Sequence, residues 1–391
     1  MGKIQAEPTS WLEIDKNAYM HNLEFIKDLI TPGTKFCSVV KGNAYGHGTE
    51  TIVKLAEEAG VDNFGVFSTD EAYEVVQNAT KSPEIMIMGM INDDQLEWVI
   101  ENNISFFVFN KYRLDRAAEM ARKVGKPARV HLELETGMNR TGVNGSEMDY
   151  FISALTTRPE IFRWEGLCTH FAGAESIANY LRVKKQYVYF KKVLKQISRS
   201  QKVLPTIVHT ACSAATMRYP ATHFDMVRIG ILQYGFFPSR EVQVEYMAKQ
   251  EDSHTYPLRR LISWKSRVMD VKSVQTGEFI GYGTSYLANA PMRVAIIPVG
   301  YSHGFSRVLS NQGRVLIGGA QAKVVGMVNM NMIQADVTEI PEVHPGDEVV
   351  LIGRQGDQEL SVSSFAEYSD QVNYELLTRL PRNIPRKIVS N

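Results

Sequence analysis

Phe36-Cys-Ser-Val-Val-Lys41-Gly-Asn-Ala-Tyr45-Gly-His-Gly48 is the stretch on which the reading of this chain turns. Its apolar run (Phe36, Val39, Val40) has the length and composition of a buried strand, and the run stops at Lys41. Glycines at 42, 46 and 48, with Tyr45 and His47 among them, mark a loop behind the lysine. A lysine at such a strand end admits two readings. It can snorkel, keeping its stem on apolar surface and its ammonium in water. Alternatively, a partly desolvated pocket lowers its pKa and makes the amine a nucleophile or base, as Schiff-base chemistry requires.

Working outward, short apolar runs alternate with amphipathic helical segments. After the first strand the runs are 64–67, 85–88, 105–109, 130–134, 164–168, 207–208 and 226–229. Helical periodicity falls between them, for example over 51–59, 70–77, 113–124 and 183–197, and a helix over Lys16 to Leu29 precedes them all. Eight strand–helix units over about 220 residues suit an α/β fold of the (β/α)₈, TIM-type barrel class. A doubly wound sheet would carry a glycine-rich phosphate turn after its first strand. Neither Gly-x-Gly-x-x-Gly nor a P-loop is present.

Past residue 245 the texture changes to closely spaced strand-like runs at 261–271, 293–299, 314–317, 323–325, 333–337 and 348–352, separated by turn residues. The expected division is a barrel over 12–245 and a mostly β C-terminal domain over 246–391, with residues 1–11 joining the latter. A short helix over Ser363 to Asp370 and a tail from Asn373 to Ile388 are expected to close it.

Composition narrows the function classes. The 391 residues are 44% apolar and 22% charged, with 43 acids balancing 43 bases, so there is no electrostatic footprint for nucleic acid or a membrane. Cys37, Cys168 and Cys212 are odd in number and far apart, which argues for a reducing compartment and against a disulfide framework or a metal site. The opening residues lack a signal-peptide apolar region, Ala6 breaks a myristoylation motif, and no run approaches the roughly 20 apolar residues of a membrane span. A cytoplasmic location is expected.

Catalytic groups of a barrel stand at the C-terminal ends of its strands, and phosphate commonly sits on the loops after strands 7 and 8. Lys41 and Tyr45 follow the first strand, Arg140 the fifth, His170 the sixth, Ser213 the seventh, and Arg228-Ile-Gly230-Ile231 closes the eighth. Taken singly, Ser213 reads as a helix N-cap, His170 as a core histidine, Arg228 as half of a buried ion pair and Gly230 as a turn. Together they offer an amine, an imidazole, an arginine, and a small hydroxyl with glycine-containing backbone at the phosphate position. That set suits a cofactor with an aldehyde and a phosphate, which is pyridoxal 5'-phosphate.

These motifs resemble those of the alanine racemases, the fold-type III pyridoxal phosphate enzymes. The likeness runs from Val-Val-Lys41-Gly-Asn-Ala-Tyr45-Gly-His-Gly through Glu-Thr-Gly-Met-Asn-Arg140, Thr-His170-Phe-Ala, Ser213-Ala-Ala, Arg228-Ile-Gly230-Ile231-Leu-Gln-Tyr-Gly, Gly281-Tyr282-Gly283-Thr284, Pro298-Val-Gly-Tyr301 and Val372-Asn-Tyr374-Glu. The resemblance implies an isomerase that interconverts L- and D-alanine, working as a head-to-tail homodimer. Lys41 would carry the cofactor as an aldimine and serve as one acid/base; Tyr282 would be the opposite base, reaching the partner subunit's site. Tyr45, Ser213, Gly230, Ile231 and Tyr374 would hold the phosphate. Arg228 would bond the pyridine nitrogen, with His170 beside the ring and hydrogen-bonded toward that arginine. Arg140 and the backbone at Met330 would bind the substrate carboxylate or support the cofactor's phenolic oxygen, and Tyr301 and Tyr374 would narrow the entrance.

The implied chemistry needs two bases, because the α-proton leaves one face and returns to the other. Four departures from the family pattern surround the substrate. Glu133 stands where many members have a lysine, often carbamylated, and is expected to offer Arg140 the same charge. Asn329-Met330-Asn331 replaces Cys-Met-Asp, Tyr301-Ser302-His303-Gly304 replaces Tyr-Ala-Asp-Gly, and Cys212 replaces an asparagine. They leave room for a broader-specificity or serine racemase as an alternative. A related barrel decarboxylase lacks support, since its Cys-based dimer site is not found here. A cofactor-binding protein without turnover would have no need of Tyr282.

Overall fold

A computed structural model describes residues 7–200, 204–250, 256–362 and 373–390. The expected helix over Ser363 to Asp370 lies outside the described residues, as do Val372 and residues 1–6. By its internal contacts the chain forms two compact units. One comprises 1–17, 43–51 and 261–391, and the other 18–42 and 52–260.

Strand β1 (Ser10–Asp15) belongs to the first unit. The helix Lys16–Leu29 follows with the bounds its periodicity predicts, burying Ala18, Tyr19, Asn22, Leu23 and Ile26 at helical spacing.

Eight parallel strands then make the second unit. They are β2 (Lys35–Val39), β3 (Asn63–Val66), β4 (Glu84–Ile87), β5 (Ser105–Val108), β6 (Ala128–Glu133), β7 (Phe162–Cys168), β8 (Ile207–His209) and β9 (Met226–Ile229). From β2 to β8 each pairs with its neighbour in the chain, and β9 returns to β2 with Cys37 opposite Arg228. Between β8 and β9 the ring closes through Asp225 N–H to the Val208 carbonyl at 3.0 Å and Arg228 N–H to the Ala211 carbonyl at 2.9 Å. This is the (β/α)₈ barrel expected from the alternation of runs.

Side chains on a strand alternate, so one parity of each strand fills the barrel. Cys37, Met86, Phe107, Cys168, Ile207 and Met226 form that apolar filling. The same parity carries Lys41 onward from Cys37 and Arg228 onward from Met226, which brings both toward the C-terminal mouth. In β6 it selects Arg129, His131 and Glu133, three polar residues in a strand that is buried throughout.

The first unit is a mostly β domain, as expected. Its strands are β10 (Ile262–Arg267), β11 (Asp270–Val274), β12 (Met292–Ile297), β13 (Arg314–Ile317), β14 (Ala320–Val324), β15 (Ile333–Asp336), β16 (Glu348–Gln355), β17 (Gln358–Leu360) and β18 (Arg386–Val389). Their order is β11-β12-β15-β14-β13-β16-β10-β1-β18, with β17 on β16. Ladders along this path are antiparallel apart from the parallel pairing of β18 with β1. No helix among the described residues is long and apolar enough to cross a membrane.

Candidate active site

Lys41 leaves β2 under tight control. The Val39 carbonyl accepts from Gln233 Nε2 at 3.2 Å and from Tyr234 Oη at 3.0 Å. Val40 N–H donates to the Gly65 carbonyl at 2.9 Å. Immediately after the lysine, Gly42 N–H donates to the Glu71 carboxylate at 2.6 Å, and the other oxygen of Glu71 takes Phe67 N–H at 2.7 Å.

The chain then makes one left-handed turn. Gly42 has φ 63°, Asn43 54°, Ala44 51°, Tyr45 53° and Gly46 84°. Left-handed backbone costs a non-glycine residue about 1–2 kcal/mol, so three in succession need compensation. Gly46 N–H and Gly48 N–H both donate to the Asn43 carbonyl at 3.0 Å, and Thr49 N–H donates to Asn43 Oδ1 at 3.0 Å. The Gly46 carbonyl in turn accepts from Arg386 Nη2 at 3.0 Å.

At the barrel mouth the Lys41 side chain keeps an exposed edge. Its pKa is nevertheless lowered, first by desolvation and then by the charge of Arg140, with Glu71 opposing. His170, just past β7, is pushed down to about 3 by burial and by the charges of Arg228, Arg140 and Lys41, so its ring is neutral. Lys41, Arg140, His170 and Arg228 thus share one positive field.

Arg228 is buried in β9. Nη1 donates to His209 Nδ1 and, at 3.0 Å, to the His209 carbonyl. Nη2 donates to the carbonyls of Thr169 at 2.9 Å and Thr210 at 3.2 Å. A guanidinium has five N–H donors in a fixed fork. With four engaged, Nε–H alone has no partner among the described residues.

Among the described residues no hydrogen bond joins His170 to Arg228; the imidazole that meets the guanidinium is that of His209. Beside them, Gly230 N–H donates to Ser213 Oγ at 3.0 Å, joining the start of the helix Ser213–Arg218 to the turn Ile231–Tyr234.

Glu133 ends β6 fully buried and makes no ion pair with exposed Arg140 among the described residues. Its carboxyl is hydrogen-bonded to Thr141, and Oε2 has no partner. Burial raises its pKa, against the pull of Thr141, Arg228 and Arg140.

The remaining candidates lie in the other unit. Tyr45 sits half-buried in the left-handed turn. Tyr282 stands between Gly281 (φ 76°) and Gly283 (φ 68°), is 74% exposed, and its hydroxyl has no partner among the described residues. Tyr301 (45% exposed) and Met330 (56%) are on neighbouring segments, since Tyr301 N–H donates to the Asn329 carbonyl at 3.0 Å. Tyr374 lies on the helix Asn373–Thr378.

Two of the family departures bond to each other. Asn331 Nδ2 donates to Ser302 Oγ at 3.0 Å, Ser302 Oγ donates to the Met330 carbonyl at 2.7 Å, and Gly300 N–H donates to His303 Nδ1 at 3.2 Å. The substituted segments therefore form one neutral set.

Sequence reasoning missed Glu71, Gln233, Tyr234 and His209 as supports. The one local signal was a polar residue at inward parity, as with His209 one step past Val208.

These residues fit pyridoxal phosphate. They offer an amine of lowered basicity, a single free donor on Arg228, a neutral imidazole, and a hydroxyl tied to backbone N–H under positive charge.

Residues 14–238 match the family model described as the alanine racemase N-terminal domain, and residues 261–388 that of the alanine racemase C-terminal domain. The alanine racemase of Leptospira interrogans is 34% identical over 97% of this chain and 96% of its own length. A crystal structure of Bacillus anthracis alanine racemase with bound L-Ala-P superposes with TM-score 0.88 at 32% identity, covering 99% of this chain and 97% of that one. The Bartonella henselae alanine racemase, solved with covalently bound pyridoxal phosphate, gives TM-score 0.82 at 25% identity over 98% and 100% of the two chains. By both family models and by relatives along nearly its whole length, this chain belongs to the alanine racemase family.

Proposed function

We propose that this chain is a pyridoxal phosphate-dependent isomerase that interconverts L- and D-alanine with Lys41 and Tyr282 as its two bases. The observation that carries the reading is the pairing of Lys41, whose pKa is lowered, with Arg228, whose only uncommitted donor is Nε–H.

When bound, the cofactor supplies an electron sink that acidifies the substrate's α-C–H bond. Everything else falls to the protein. Lys41 Nζ holds the cofactor and then accepts or returns a proton on one face. Tyr282 Oη, from the partner subunit, does the same on the other face. Arg228 presents Nε–H to the pyridine nitrogen. A guanidinium does not give up its proton, so a pyridine nitrogen accepting from Arg228 would be left unprotonated, which would weaken the sink and disfavour transamination.

Ser213 Oγ, with the backbone at Gly230 and Ile231 and the hydroxyls of Tyr45 and Tyr374, binds the phosphate. Arg140 and the Met330 backbone orient the carboxylate, while Tyr301 and Tyr374 restrict the entrance. Tyr282's exposure supports a homodimer, since a base needs a site to face. Three free cysteines support a reducing, cytoplasmic setting.

The test is to follow optical rotation for single-enantiomer amino acids with the loaded protein. Loss of rotation with alanine, abolished in Lys41→Ala, is expected. A protein that binds the cofactor but leaves every enantiomer unchanged would sink the proposal. Faster turnover of serine than alanine would favour the broader reading to which the neutral Asn331–Ser302 set points.

A further inference from the structure

Two buried histidines beneath Arg228 take no part in the mechanism above. His209 is 0% exposed and His131 is 2% exposed. His209 Nε2 stands 2.9 Å from His131 Nδ1, and the rings meet edge to face with centroids 5.0 Å apart. His131 has its place because β7 opposes it with Gly166, where a Cβ would lie 2.0 Å from His131 Nδ1. The register of β6 and β7 shifts at that point. Below His131 is a cavity of about 190 Å³ at the N-terminal end of the barrel, lined also by Arg129, Glu165 and Lys35.

Hydrogen-bond chemistry leaves this column one proton arrangement. Arg228 donates to His209 Nδ1 and has no lone pair to accept with, so that nitrogen must be the acceptor. A neutral His209 therefore carries its proton on Nε2 and donates it to His131 Nδ1. His131 must then carry its own proton on Nε2, toward the cavity it lines. Burial keeps both rings neutral, holding His131 at about 3 and His209 well below the usual imidazole value. If either ring adopted the other tautomer, two donors or two acceptors would face each other in a closed core, which costs more than a lost hydrogen bond.

We propose that His131 is a positioning residue for the reaction: by accepting from His209 it fixes that ring's tautomer and plane, and so aims the Nε–H of Arg228. It touches neither cofactor nor substrate. The proposal rests on the reading of Arg228 as the partner of the pyridine nitrogen. It also explains a polar pair where a barrel normally places apolar layers.

The experiment uses the full chain, with and without pyridoxal phosphate, and compares His131→Leu, His131→Gln and Gly166→Ala with the parent. In the cofactor-free parent, ¹⁵N shifts of the His209 ring should show Nε2 protonated and Nδ1 unprotonated. His131→Leu should disturb that pattern and shift the absorption band of the loaded protein. It should also lower kcat on the order of 100-fold, since small misplacement of a fixed group is costly. His131→Gln, which offers a carbonyl oxygen in reach of Nε2–H, should restore much of each.

If His131→Leu does not fold, Gly166→Ala displaces the same ring and is read the same way. A parent His209 protonated on Nδ1, or ring shifts indifferent to His131, overturns the proposal. If Arg228→Lys moves the absorption band and His131→Leu does not, the proposal falls while the reading of Arg228 stands. If neither moves the band although the His209 ring responds, the reading of Arg228 itself fails and takes the proposal with it.

Discussion

Tyr282 is 74% exposed and its hydroxyl has no partner among the described residues, an odd setting for a catalytic base. If it works in the partner subunit's site, two inactive variants can repair each other. A dimer of Lys41→Ala chains lacks the lysine at both sites, and a dimer of Tyr282→Phe chains lacks the phenol at both. In a mixed dimer one site takes Lys41 from the second chain and Tyr282 from the first, while the other site has neither. With free exchange of equal amounts, half the dimers are mixed and each has one complete site of two. Activity should therefore recover to about a quarter of the parent.

The baseline is low enough to see this. Removing one positioned acid/base costs about 10²–10⁴-fold, or about 3–5 kcal/mol of barrier. Folding should not confuse the result, because trimming an exposed hydroxyl changes stability by less than about 0.5 kcal/mol. The assay co-refolds differently tagged variants, isolates the mixed species and follows optical rotation of L-alanine. Isolated mixed dimers no faster than either parent variant refute the shared site, and a Tyr282→Phe enzyme at the full rate refutes the base.

Lys41→Ala should fold normally yet lose the visible band of the bound cofactor, and a retained band would remove the lysine as its anchor. Gly46→Ala places a Cβ 1.9 Å from the Leu377 carbonyl oxygen at φ 84°. Left-handed strain of about 1–2 kcal/mol plus overpacking of about 1–3 kcal/mol should lower stability by about 2–5 kcal/mol in urea unfolding; a midpoint equal to the parent's contradicts this. Glu133 has a raised pKa, so the fold disfavours its ionised form and loses stability as pH rises from about 4.5 through the folded value. Glu133→Gln should then match the parent in acid and gain relative stability above that range, and a pH-independent difference rules this out. Arg140→Ala should lower turnover, and unchanged turnover in that variant removes the guanidinium from the site.

The barrel was legible because its signals are local and repeated. The helix Lys16–Leu29 and the strands Met226–Ile229 and Arg314–Ile317 have the bounds their patterns predict. Strands β17 and β18 were not, at three and four residues. The latter pairs in parallel with β1, which lies almost the whole chain away, and no local pattern encodes that. Glycines 42, 46 and 48 announced a tight loop, but nothing in Asn43, Ala44 and Tyr45 announces three left-handed residues in a row.

The site divides in the same way. Lys41 and Arg228 could be singled out because a charged residue at the end of a buried strand is conspicuous. Their supports were not, because they act across long separations: Ser38 Oγ and Tyr19 Oη, 195 and 214 residues away, both donate to Gln233 Oε1. His170 was assigned a bond to Arg228 that His209 makes, since sequence alone cannot say which of two histidines at strand ends meets the guanidinium.

The field at the mouth also makes Lys41 responsive to what binds. Its pKa is lowered by desolvation, by Arg140 and, less, by Arg228. An anion beside Arg140 offsets its charge, and an opposite charge within a few ångströms favours an ammonium. The Lys41 amine therefore loses its proton more readily than an ordinary lysine, and an anion at Arg140 would make it a stronger base. In the proposed reaction the same residue would need these two properties in turn, first to take up an aldehyde and then to accept a proton.

Inorganic phosphate is the probe. The pH at which Lys41 in the cofactor-free protein reacts with an acylating reagent should shift upward when phosphate is added. Arg140→Ala should raise that pH even without phosphate. A Lys41 profile indifferent to both would leave desolvation as the sole cause of its lowered pKa, and the coupling between anion and amine would be lost.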